Sequence, residues 1–266
     1  MKKIAAAVAF AAALALPFSA SAHRAWIAPT ATVLSGDDAW VGFDAGMSNG
    51  VFIADHAAMN LAGLVITAPD GSSVQPEHMN RAQYRSSFDL HLTQQGTYRV
   101  ANVTSGVGGS YMLNGERQRF RAATKDWASE IPAGATEVQV SRSVGRTETF
   151  VTLGEPSTGA LAPTGVGIEL VPVSHPNDLV AGETATFRLL HDGRPAAGLE
   201  VTIARGGTRY RNAPEEMTVT TNTDGSFTVT WPTAGMYWMN ASVRTEASGD
   251  QLAYSAAYNG VVEVLP

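Results

Sequence analysis

The sequence predicts an all-β protein, two related β-sandwich domains in tandem. Three observations carry that reading. Short runs rich in Val, Ile, Thr, Phe and Tyr recur along the 266 residues between Gly, Pro, Asn and Asp, as half-buried strands and their turns require. No segment beyond the first 22 residues has the 3.6-residue periodicity of a long amphipathic helix. The two halves also repeat one another's spacing.

In chain order, residues 1–22 read as a secretory signal peptide. Met1-Lys2-Lys3 is basic, Ile4 to Leu16 is an apolar run, and Ala20-Ser21-Ala22 is a small-residue cleavage site. Cleavage there makes His23 the first mature residue and leaves the protein two charges more negative than its formal −6. The first domain, residues 23–154, has strand signals at 39–43, 63–67, 88–92, 97–100, 137–141 and 148–152. Inside it, residues 104–135 read as an irregular insertion, with a glycine-rich loop at 105–110 that lacks the lysine and helix of a phosphate loop. Arg117, Arg119 and Arg121 alternate there, which puts them on one face of a strand as a solvated edge. Residues 155–165 form a linker. The second domain, 166–266, has strand signals at 167–171, 184–190, 199–203, 226–231 and 236–240.

The halves echo each other twice. Residues 36–43 align with 182–189, each a turn glycine, an acid and alternating apolar positions. Phe88 precedes Gly96-x-Tyr98 at the spacing with which Phe227 precedes Gly235-x-Tyr237. Each tyrosine is expected to pack near a sheet corner.

Composition excludes several classes of function. The mature chain has one lysine, Lys125, and no basic run, so it lacks the footprint of a nucleic-acid binder or a polybasic membrane anchor. No later apolar run approaches the ~18 residues of a membrane-spanning helix. With no cysteine, thiol catalysis, zinc–thiolate sites and disulfides are all ruled out. No G-x-S-x-G elbow is present, and Glu215-Glu216 reads as an acidic turn rather than an acid–base pair. Trp40, Trp231 and Trp238 fall on strand signals and read as core, which leaves Trp127 as the exposed aromatic.

Histidine is therefore the informative residue type. His23, His56, His78, His91, His175 and His191 are the six. At a processed N-terminus, the α-amine and ring of His23 can chelate one ion, a good part of a copper(II) or nickel(II) site. His56 is the leading third ligand, in a loop with Asp55 beside it and with Asp44, Met47 and Met59 near in sequence. His78 sits in a second loop, His91 faces away from the core on its strand, and His175 and His191 read as satisfied or surface residues. Binding by amine and imidazole weakens as pH falls below about 6.5.

These residues resemble an exported bacterial family known as domain of unknown function 4198, described alongside periplasmic components of nickel and cobalt transport. The likeness rests on His23-x-x-Trp26-Ile27, Asp55-His56, Leu64 to Gly71, Arg85-Ser86-x-Phe88-Asp89 and Gly96-Thr97-Tyr98-Arg99. In the second half it rests on His175-Pro176-Asn177-Asp178-Leu179, Gly206 to Arg211 and Trp231-Pro232-x-x-Gly235-Met236-Tyr237-Trp238. The resemblance implies immunoglobulin-like sandwiches and a non-enzymatic, metal-associated role. The expectation is a soluble periplasmic protein that takes a divalent ion (nickel, cobalt or copper) on His23, His56 and Asp55 and serves metal-uptake proteins of the inner or outer membrane. The alternatives are a structural or interaction module of the envelope and, in layout alone, a copper polysaccharide oxidase with an N-terminal histidine.

Overall fold

The computed structural model describes residues 23–122 and 126–266, so the signal peptide read at 1–22 and Lys125 lie outside the described residues. The first half contains β1 (Arg24–Pro29), β2 (Val33–Leu34), β3 (Ala39–Ser48), β4 (Ala57–Ala58), β5 (Leu64–Thr67), β6 (Ser73–Val74), β7 (Glu77–Arg81), β8 (Ser86–Leu92), β9 (Gly96–Leu113), β10 (Glu116–Ala122) and β11 (Thr136–Leu153). The second contains β12 (Ile168–Pro172), β13 (Thr184–His191), β14 (Arg194–Pro195), β15 (Glu200–Arg205), β16 (Met217–Thr220), β17 (Ser226–Thr230), β18 (Gly235–Thr245) and β19 (Ala253–Val264).

Each half is an immunoglobulin-like sandwich. In the first, the sheet β1-β3-β8-β7 faces β5-β9-β11, the four-plus-three arrangement of a seven-stranded domain. In the second, β12-β13-β17 faces β15-β18-β19. The strands alternate because one face of each is buried. Along β8 every second residue, Phe88, Leu90 and Leu92, is buried, with half-buried residues between them. Phe43, Phe88, Tyr98 and Val151 belong to the first core, and Phe187, Phe227, Trp231 and Tyr237 to the second.

The two sandwiches share one sheet. Their last strands, β11 and β19, pair in parallel from Ser141↔Ala253 to Thr149↔Val261. The ten-stranded sheet therefore runs β16-β15-β18-β19-β11-β9-β5-β6, with β10 added to β9 and β2 to β11, and corresponding strands lie in mirrored order about the central pair.

The internal repeat is real in three dimensions. Phe43 sits directly across from Phe88, and Phe187 from Phe227. Gly96 and Gly235 have φ of +122° and +139°, a conformation that favours glycine. The Tyr98 hydroxyl accepts from the amides of Thr93 and Gln94 at 3.1 and 2.8 Å, and the Tyr237 hydroxyl donates to the Thr233 carbonyl at 2.7 Å. The earlier echo needs a shift of two residues, because the counterpart of Phe43 is Phe187 and not Leu189. A two-residue slip keeps the same face of a strand inward, so hydrophobic alternation could not detect it.

Three expectations are corrected. Residues 104–122 are not irregular: β9 continues to Leu113 and returns as β10. The glycines there disguise a strand as a loop, yet they serve close packing, since a Cβ on Gly109 would lie 1.9 Å from the Gln139 carbonyl oxygen. His78 lies on β7, at a bulge where its φ is 49°, and not in a loop. Trp40 is not core: it is 47% exposed, on the outer face of its sheet. The 155–165 segment contains a short turn of 3₁₀ helix, Gly159–Leu161, whose Leu161 packs into the second core.

A buried ion cluster lies along β11. Arg146 contacts Glu148 at 3.3 Å and donates to Glu169 of β12 at 2.9 Å and to the Thr164 hydroxyl at 2.8 Å, with all three charged side chains almost fully buried. Burial pushes Glu148 up despite Arg146 and Arg99 nearby. Burial also pushes on Glu169, but the Thr164 hydroxyl and amide, then Arg146 and the Gly165 amide, outweigh it and hold that carboxyl below its ordinary value. A carboxyl with a depressed folded-state pKa contributes stability above the unfolded pKa and loses it as pH falls through the folded one. Arg146→Ala is therefore expected to cost about 3–5 kcal/mol at neutral pH, by leaving Glu169 buried without its cation. The deficit should shrink in acid as Glu169 protonates, which urea unfolding of wild type and variant across pH 3 to 7 would measure.

Candidate metal centre

The site is built where three strands end together. β1 runs antiparallel to β3 with Arg24 opposite Ser48, and β4 pairs with the same end of β3 through Met47↔Ala57. His23 immediately precedes β1 and His56 immediately precedes β4, so both arrive at the end of β3.

Local bonds hold both approaches. The Ser48 hydroxyl accepts from the Trp26 indole at 2.7 Å and donates to the Gly50 carbonyl at 2.6 Å, which ties β1 to the loop after β3. The carboxylate of Asp55 accepts from the Asn49 amide at 2.9 Å and closes that loop just before His56. Trp26 meets Phe52 edge-on at 5.8 Å. From the other half, the Trp238 indole donates to the Ala25 carbonyl at 2.9 Å, Arg24 lies over the Trp238 ring at 5.0 Å, and the Arg24 guanidinium pairs with Glu216.

The outcome is that the imidazoles of His23 and His56 stack, with centroids 3.5 Å apart and planes within 8°. Both residues are exposed. Two nitrogens bound at about 2.1 Å in a tetrahedral shell are roughly 3.4 Å apart, so two rings at this spacing need only fan open to share one ion. Asp55 is not part of the pair: its carboxylate is engaged by the loop, and among the described residues no three His, Asp or Glu side chains converge on an ion-sized space. The His pair fits a borderline nitrogen-preferring ion and needs further donors to complete a shell.

The other histidines are otherwise engaged. His91 stacks on Trp40 at 4.4 Å and pairs with Asp38, and His78 contacts Asp89 at 2.9 Å. His175 is half-buried, and burial lowers its pKa. Its Nδ1 accepts from the Asn177 amide at 3.1 Å, so Nε2 carries the proton and faces the Ser157 carbonyl at 3.1 Å. His191 stands 3.5 Å from Asp192. Arg117, Arg119 and Arg121 lie on the exposed edge strand β10. The clamp of Arg24, Trp238 and Glu216 escaped the sequence reading, since nothing local links residues so far apart.

A family profile spans residues 20–245, from just before the His pair to the end of β18. This chain belongs to the family described as Domain of unknown function (DUF4198). No curated protein matches the DUF4198 chain. Among solved structures it is similar to the D0-D1 domain of intimin, at 13% identity over 90% of this chain and 97% of that one, with a TM-score of 0.23. It is also similar to an ICAM-5 D1-D4 ectodomain fragment, at 12% identity over 91% and 50% of the two chains and a TM-score of 0.23. A third is the mouse nectin-like molecule 4 ectodomain, at 9% identity over 92% and 64% and a TM-score of 0.21. Likeness at this level says nothing of what the DUF4198 protein binds.

The geometry separates Asp55 from the imidazoles in a testable way. Asp55→Asn keeps an oxygen for the Asn49 amide, so nickel affinity by calorimetry should change less than about threefold. A loss of tenfold or more, about 1.4 kcal/mol, would put the carboxylate in the metal shell.

Proposed function

We propose that this protein is an exported, periplasmic carrier that binds a divalent transition metal ion through His23 and His56 and passes it to a membrane uptake system. The observation that supports it is the stacking of two exposed imidazoles, distant in sequence, at the end of β3. Exposed histidines have no packing need to meet, and two imidazoles held side by side can each turn a ring-nitrogen lone pair to one ion. Export supports the reading further, because removal of the leader would place a free amine on His23. Nickel, cobalt and copper all suit this nitrogen set. A carrier needs an accessible ion and an incomplete shell that a recipient can complete, and the exposed pair provides both.

The test is calorimetry with nickel(II), copper(II) and cobalt(II) on protein beginning at His23, on the same protein with one added residue, and on His56→Ala. The added residue and the alanine should each weaken binding by tenfold or more, about 1.4 kcal/mol. Affinity should also fall as pH is lowered, because each imidazole must shed its proton to ligate. Unchanged binding in both altered proteins would overturn the proposal in favour of an envelope interaction module.

A further inference from the structure

A thioether lies on the strand between the two histidines. Met47 of β3 is opposite Ala25 of β1 on one side and opposite Ala57 of β4 on the other. His23 stands two residues before Ala25, and His56 one residue before Ala57. The three side chains therefore rise from neighbouring strand ends, and methionine has the long unbranched arm that such a gap needs.

Alternation along β1 shows that they share a face. Ala25 and Ile27 pack against the first core, whereas Trp26 and Ala28 pack on the opposite face with Trp238 and Val261. Arg24 is on that opposite face too, over the Trp238 ring. One further reversal brings His23 to the side of Ala25 and Met47, and His56 is there with it through the ring stack. The opposite face is already filled at this end, where Phe52 meets Trp26 and a Cβ on Gly206 would lie 2.9 Å from the Phe52 ring. Ala25 and Met47 also line one cavity, which confirms that the thioether arm leaves β3 on Ala25's side.

Exposure separates Met47 from the other methionine nearby. Met59 is buried in the first core, whereas Met47 is 38% exposed and so keeps its sulfur accessible. A thioether is a soft donor. It adds little to nickel(II) or cobalt(II) already held by imidazoles, and much to copper(I).

We propose that Met47 is the third ligand of the His23–His56 site and that the site's cargo is copper, held as copper(I) by two imidazoles and one thioether. This rests on the metal reading of the His pair, and the experiment separates the two.

The experiment is anaerobic competition for copper(I) against the chromophoric chelator bicinchoninate, with calorimetry for nickel(II), on protein beginning at His23, on Met47→Leu and on His56→Ala. Leucine keeps the size and apolarity of an exposed position, so the fold is retained. Met47→Leu should weaken copper(I) binding by about tenfold or more and nickel(II) binding by less than about threefold. It should also remove the sulfur neighbour that X-ray absorption detects at copper in the unaltered protein. His56→Ala should weaken both ions. Full copper(I) affinity in Met47→Leu beside a loss in His56→Ala would overturn the thioether ligand and leave the His pair standing. Full affinity in both variants would overturn both readings. Equal losses of copper(I) and nickel(II) in Met47→Leu would show a structural effect and overturn the soft-ligand assignment.

Discussion

The parallel pairing of β11 with β19 is the constraint on which the molecule depends. Parallel ladders require both faces to be covered, and here each face has its own cover. On one side lies the second core, reached by Tyr258 and Phe150; on the other, β1 brings Trp26 against Trp238 and Val261. Arg146 lies in this pair and ties it to β12 through Glu169 and to the inter-domain segment through Thr164. A guanidinium so enclosed tolerates little displacement, because any opening leaves charges desolvated and unpaired. The two sandwiches are consequently one continuous structure and not beads on a flexible linker.

That continuity decides where the candidate metal centre sits. β1 belongs to the first sandwich by pairing with β3, yet its outward ring and carbonyl are held by Trp238 and its guanidinium by Glu216 of the second. His23 is therefore positioned by both halves, whereas His56 is positioned by the short loop that Asp55 and Ser48 brace. The first strand of one domain thus acts as a strap across the other. A site at its start is sensitive to the packing of the whole molecule.

Much of the fold was readable from local pattern. The alternation through 88–92 and 184–190 is visible because one face of each strand meets a core and the other meets water. The Gly-x-Tyr spacing at 96–98 and 235–237 is visible because a positive φ and a corner hydroxyl are needs of the chain within a few residues. β19 gave no such sign. Both its faces are buried over most of its length, so residues 253–264 show no alternation, and Asn259-Gly260 within it imitates a turn. β9 beyond residue 104 was hidden by glycines for a similar reason: they answer to a neighbouring backbone that sequence does not display. Trp40 was misplaced because a tryptophan on a strand has a face, and its face is set by register, here outward against His91.

By itself the sequence determined an all-β chain of two similar units, the absence of thiol chemistry, and histidine as the residue type to follow. Those are properties of composition and of short-range periodicity. The tertiary structure alone decided that the two units share a sheet and that His23 and His56 meet while Asp55 turns to its own loop. Each of these depends on strands remote in sequence arriving at one place. Such meetings follow from packing two cores against a single sheet, which no local pattern records.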